Sequence, residues 1–120
     1  MSYKLFLDDL RTVDMVYPGA ADGFVVVRSY NAFVDCVQTH GLPEFVSFDN
    51  DLGEDEHGDL LPDGYDCAKW LVHEQRYDLR CLSFKVHSAN PVAKVQIQSL
   101  INNYIRFLNH YGNGTSEQDC

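Results

Sequence analysis

Three short apolar runs, residues 3–7 (YKLFL), 44–48 (EFVSF) and 81–86 (CLSFKV), each lead without a spacer into a polar cluster. The clusters are Asp8-Asp9, Asp49-Asn50-Asp51 and His87-Ser88-Ala89-Asn90. Runs of this length, rich in aromatic and β-branched residues, read as buried strands. Residues 24–28 (FVVVR) have the same character and read as a further strand, the second in chain order. Helical patterns separate the runs, and strands alternating with helices require right-handed crossovers and a mainly parallel sheet. In such a sheet ligands bind beyond the carboxyl ends of the strands, which is where these three clusters fall.

The intervening segments carry their own punctuation. Between the first two strands a polar loop with Pro18, Gly19 and Gly23 leaves little room for a full helix. Ser29 can cap a helix over about 30–40, with Tyr30, Phe33, Val34 and Val37 at helical spacing and Gly41 and Pro43 closing it. Asp63 and Asp66, three apart, form a carboxylate version of a capping box for a helix over about 64–75 that buries Cys67, Ala68, Trp70 and Leu71. Asn90-Pro91 opens a long amphipathic helix whose stripe is Val95, Leu100, Ile101, Tyr104, Ile105 and Leu108. This layout predicts one domain over residues 1–111 and a mobile tail over 112–120.

Charge narrows the function. The chain of 120 residues carries 18 acidic and 9 basic side chains, a formal net charge of −9, but 8 of the acids lie within residues 49–66, which hold no Lys or Arg. The rest is nearly neutral. Bulk binding to duplex DNA needs clustered positive charge and is not expected. No apolar run approaches the roughly 18 residues of a membrane span, and no leader segment is evident, so a cytoplasmic location is expected. The cysteines at 36, 67, 81 and 120 form no metal-type pair, and reduced thiols are expected for a chain with this much core.

Each cluster admits a chemical and a purely structural reading. Asp8 and Asp9 repel each other at a strand end unless a cation or nearby donors hold them ionised; alternatively, they form a solvated turn. Asp49-Asn50-Asp51-Leu52-Gly53 places alternate carboxylates in a turn, which suits a hard divalent ion, although the spacing does not fit an EF-hand loop. If the first and third strands lie side by side, Asp8, Asp9, Asp49 and Asp51 converge, and four carboxylates in one crevice call for Mg²⁺ or Mn²⁺. In the last cluster, Ser88 and Asn90 at a helix N-terminus can grip a phosphate with Lys94 one turn on, and His87 can act as general acid or base. The structural alternative is Asn90 as an N-cap and His87 as a satisfied core histidine. His40, His57, His73 and His110 have no partner at convincing spacing.

LFLDDLR after the first strand, SFDNDLG after the third and VHSANP after the fourth together resemble a receiver-like family predicted to process cyclic phosphates in bacteria and their phages. The resemblance spans about residues 3–105. It implies an α/β fold of the flavodoxin/receiver type, with a mainly parallel sheet of about four strands flanked by helices. It also implies that Asp8 and Asp9 match the acidic pair that holds Mg²⁺, that Asp49 matches the phospho-accepting position, and that Ser88 matches the hydroxyl residue after strand four. His87 is this family's addition. No fifth strand and no equivalent of the receiver's strand-five lysine is evident.

These readings lead to one expectation and one alternative. The expectation is a metal-dependent phosphoesterase acting on a cyclic phosphate or nucleotide-type substrate, either a small molecule or a nucleic-acid end. Asp8, Asp9, Asp49 and Asp51 would hold the ion, Asp49 and His87 would be catalytic, and Arg11, Ser88 and Asn90 would bind phosphate. The alternative is a receiver-like signalling or binding module that accepts phosphate on Asp49.

Overall fold

The computed structural model describes residues 3–19, 23–74 and 78–111; the expected tail over 112–120 lies outside them. Four strands form one sheet: β1 (Lys4–Leu7), β2 (Phe24–Val27), β3 (Phe45–Phe48) and β4 (Ser83–Val86). All pairings are parallel, in the order β2-β1-β3-β4, and β1 lies directly beside β3 with Leu7 opposite Phe48. The register aligns the strand ends, so the residues that follow β1, β3 and β4 emerge along one edge. A fifth strand is absent among the described residues.

Strand alternation sends Leu5, Leu7, Val46, Phe48 and Val86 to one face. Against that face pack α2 (Tyr30–His40), α3 (Gly64–Lys69) and α4 (Pro91–Tyr111), which contribute Phe33, Val37, Cys67, Ala68, Ile97 and Ile101 to a single core. The opposite face carries Phe6, Phe24, Phe45 and Ser47. It is covered not by a long helix but by the single turn α1 (Val13–Val16) and by Tyr17, whose ring stacks on Phe24 at 6.2 Å. The short first crossover anticipated from Pro18 and Gly19 is therefore one helical turn.

The helix boundaries follow their caps. Ser29 Oγ accepts the Ala32 N–H, and α2 ends at Gly41 with φ +84°, a left-handed conformation that glycine adopts without steric cost. The Asp63/Asp66 box is reciprocal: Asp66 N–H donates to Asp63 Oδ1 and Asp63 N–H to Asp66 Oδ2, both at 2.9 Å. Asp63→Ala removes one half of this exchange and should cost about 1 kcal/mol, measurable as a lower denaturation midpoint.

Two details depart from the sequence reading. The helix expected over 64–75 is regular only to Lys69; Trp70–Glu74 is a widened π turn that lets the consecutive Trp70, Leu71 and Val72 all enter the core. On α4 the buried seam is Ala93, Ile97 and Ile101, whereas Val95 is 59% exposed. Val95, two residues from both Ala93 and Ile97, lies nearly opposite that seam and so faces outward. Cys36 and Cys67 are buried free thiols, as expected, but the exposed Cys81 is disulfide-bonded, which corrects the expectation for that residue. A bond at the surface needs no deficiency in the core.

Candidate functional site

Asp8 leaves the end of β1 fully buried. Its Oδ1 accepts the N–H groups of Leu10 (2.9 Å) and Arg11 (2.7 Å); its Oδ2 accepts Arg11 Nε and faces His87 Nε2, each at 2.9 Å. Burial alone would raise the Asp8 pKa. The backbone bonds from Arg11 and Leu10, the His87 bond and the Arg11 charge outweigh it and hold the carboxyl below its ordinary value. Asp8 is therefore an ionised carboxylate with every acceptor direction engaged.

Asp49 lies across from it at the end of β3, 5% exposed. Its Oδ1 accepts the Asn50 N–H at 2.8 Å, while Arg11 Nη2 stands 3.4 Å away, too far for a short hydrogen bond. Burial, and then the charges of Asp8 and Asp9, push the Asp49 carboxyl up to about 6 against the partial relief from Asn50 and Arg11. The position of Asp49 also depends on a glycine. Gly64 N–H donates to Asn50 O at 2.8 Å, and a Cβ at Gly64 would stand 1.9 Å from Asp49 O, so only glycine lets α3 approach this closely.

A crevice of about 490 Å³ opens over these residues, lined by Asp8, Asp9, Arg11, Asp49, Asp51, Ser88 and Asn90, among others. The structure thus brings the four expected carboxylates and the three expected phosphate-binding residues together. Their situations differ. Asp9 is half-buried, and Asp51 is exposed at the rim, with its Oδ1 accepting the Gly53 N–H at 3.1 Å. The Asp8, Asp49 and His87 side chains each offer a ligand-type atom within 4.8 Å of the others. Asp49 is raised first by burial and then by the neighbouring carboxylates, and clustered oxygen donors of this kind fit a hard divalent ion.

The third cluster is arranged otherwise than expected. Asn90 Oδ1 accepts the N–H groups of Val92 and Ala93 at 3.0 and 3.1 Å, so these first donors of α4 are already taken by the cap. Ser88 Oγ accepts the Asn90 N–H at 3.1 Å. Phosphate contacts here fall to the Ser88 hydroxyl and the Asn90 side-chain amide rather than to bare helix N–H groups, and the exposed Lys94 does not line the crevice. His87 does not line it either: only 5% of its side chain is accessible, and it stands behind Asp8. Burial lowers its pKa, partly offset by Asp8, which favours the neutral imidazole.

Sequence reasoning missed three residues. Arg28 Nη1 donates to the carbonyls of Asp8 (3.1 Å) and Arg11 (2.7 Å), tying down the first loop. Ser47 Oγ lies 2.6 Å from His87 Nδ1, and Tyr17 Oη lies 2.7 Å from Ser47 Oγ. The only signal for Ser47 was a hydroxyl inside an otherwise apolar strand.

A parallel α/β sheet with an acidic pair after β1, an aspartate after β3 and a hydroxyl residue after β4 defines a receiver-fold protein. The family model described as "Cyclic-phosphate processing Receiver domain" matches residues 3–103, and the chain belongs to that family. The solved structures similar to this chain include one described as yeast Spc42 trimeric coiled-coil amino acids 181–211 fused to another structure. It superposes with a TM-score of 0.57 at 16% identity, covering 95% of this chain and 85% of that one, and shows the fold alone. Comparison with curated proteins gives no match. No helix among the described residues is long and apolar enough to cross a membrane.

Proposed function

We propose that this protein is a divalent-ion-dependent phosphoesterase that opens a cyclic phosphate or hydrolyses a nucleotide-type phosphoester in the crevice over Asp8 and Asp49. The observation that carries the reading is Asp49 itself, a buried carboxyl raised to about 6 beside an ionised Asp8 at the floor of a crevice rimmed by phosphate-compatible donors. Asp49, Asp9 and the rim residue Asp51 would hold Mg²⁺ or Mn²⁺, with Asp8 behind them; when bound, such an ion polarises a phosphoryl oxygen and activates water. Arg11, Ser88 and Asn90 orient the phosphate. Asp49 acts at the reacting phosphoryl group. His87 donates from Nε2 to Asp8 Oδ2 and so holds that carboxylate ionised and in place behind the ion-binding acids. The setting proposed is the cytoplasm, with a small phosphorylated molecule or a nucleic-acid end as substrate.

The test is a panel comprising a cyclic mononucleotide, an RNA 2′,3′-cyclic end and a cyclic ADP-ribose-type phosphate, each incubated with Mg²⁺ or Mn²⁺. Ring opening of at least one member, lost on chelation, is the expected result. A stable mass gain of about 80 Da after acetyl phosphate treatment, with no turnover of any member, would instead establish phospho-acceptor signalling through Asp49.

A further inference from the structure

Beneath the acidic crevice a line of side chains runs along the sheet face that α1 and Tyr17 cover. Tyr17 Oη, Ser47 Oγ, His87 Nδ1, His87 Nε2 and Asp8 Oδ2 follow one another with gaps of 2.7, 2.6 and 2.9 Å between side chains. The proton positions along it are not free choices. Asp8 already receives two backbone N–H groups and Arg11 Nε, the pattern of an ionised carboxylate, which can only accept. The proton between His87 and Asp8 therefore belongs to Nε2. In neutral imidazole the other nitrogen is then an acceptor, so the Ser47 hydroxyl donates to Nδ1. A hydroxyl that donates there has its lone pairs left to accept, and the Tyr17 O–H donates to it.

The imidazole is fixed in plane as well. The ring of Phe6, itself fully buried, stacks on His87 at 4.9 Å between centroids with 1° between planes, so the ring has no room to turn over and exchange its nitrogens. Ser47 is also fully buried, and water does not compete for its hydroxyl.

We propose that Ser47 and Tyr17 are positioning residues that hold His87 in the tautomer with its proton on Nε2, making the imidazole a donor to Asp8. A ring in this state has no Nε2 lone pair for a metal ion, so the inference assigns ion binding to the carboxylates alone. It deepens the phosphoesterase reading, and its catalytic consequence rests on that reading; its structural content does not. Residues that hydrogen-bond the far nitrogen of a site histidine and so set its tautomer typically change activity about 10- to 100-fold when removed.

The experiment uses the full chain with ¹⁵N-labelled histidine, in chelator, at about two pH units above the ordinary histidine pKa, where every imidazole is neutral. The His87 signals are identified by their loss in His87→Gln. The expected parent spectrum has the proton on Nε2 and an Nδ1 signal shifted by hydrogen-bond acceptance. Ser47→Ala should move Nδ1 to the position of an unbonded nitrogen or spread the proton over both sites, and Tyr17→Phe should move it in the same direction by less. With a substrate in hand, Ser47→Ala should lower kcat about 10-fold with KM unchanged. A parent proton on Nδ1 overturns the inference, as does a His87 signal unmoved by either substitution. Should Ser47→Ala fail to fold, Tyr17→Phe decides alone. Shifted nitrogens without turnover of any substrate would uphold the positioning role and overturn the phosphoesterase reading instead.

Discussion

Asp49→Asn is expected to raise the unfolding midpoint in ion-free buffer and to abolish the further rise that Mg²⁺ or Mn²⁺ gives the parent chain. In the folded parent, Asp49 keeps its proton up to about pH 6, whereas the unfolded chain releases it near 3.8. The native state binds more protons across that interval, so stability falls as the pH rises through it. The ionised carboxylate costs the fold about 1–3 kcal/mol at neutral pH, and the neutral amide removes that cost while still accepting the Asn50 N–H. Asp8 runs the other way: its lowered pKa contributes stability above its unfolded value that is lost as the pH falls through the folded one. His87, also lowered, adds stability as the pH rises toward 6.5. The Asp49 contribution is therefore read as the difference between parent and variant midpoints, which should widen between about pH 4 and pH 6 and then level off. Equal midpoints at pH 7, or an ion-induced shift that survives in Asp49→Asn, would remove Asp49 from the centre of the site. Turnover should be lost in the same variant.

Gly64→Ala should be far more damaging than its single methyl group suggests. The added carbon would stand 1.9 Å from Asp49 O, 2.9 Å from Asp49 C and 3.0 Å from Asn50 Cα, all backbone atoms that no rotamer change can clear. Either α3 backs away from the sheet or the Asp49–Asn50 segment shifts. Both break the Gly64 N–H bond to Asn50 O, and a destabilisation of about 3 kcal/mol or more follows. If a folded fraction remains, its ion response should be weakened, because the displaced backbone carries Asp49. Urea titration with and without Mg²⁺ measures both effects, and parent-like behaviour in either would show that the close approach is dispensable.

The parts of this molecule that sequence reading found are those governed by neighbours in the chain. The polar clusters after YKLFL, EFVSF and CLSFKV announced three strand ends, and Asp63/Asp66 and Asn90-Pro91 announced two helix starts, because caps and turns are local chemistry. The adjacency of β1 and β3 is only a condition in the sequence, and the strand order β2-β1-β3-β4 meets it. What stayed hidden depends on distant packing. Nothing near Ser47 in the chain says that its hydroxyl meets residues 30 and 40 positions away. For His87 the sequence leaves a general acid/base role and a core histidine both open. Distant packing, the stack with Phe6 and the bond to Asp8, sets it one layer back from the crevice. Val95 lies two residues from both Ala93 and Ile97, nearly opposite the seam they form with Ile101, so it faces outward. Asn90 turned out to satisfy the helix end itself, leaving fewer donors for a ligand than a bare N-terminus would have.

The acidic loop between β3 and α3 closes on itself before it meets anything else. Glu54 bridges Leu60, Leu61 N–H returns to Gly53 O, and Asp55 Oδ1 gathers the N–H groups of His57 and Asp59, while Leu52 anchors the base in the core. A loop closed by bonds among its own residues and anchored at its base is a self-contained unit. Its exposed acids can therefore be exchanged without disturbing the strand ends, because the bonds that close it run within the loop.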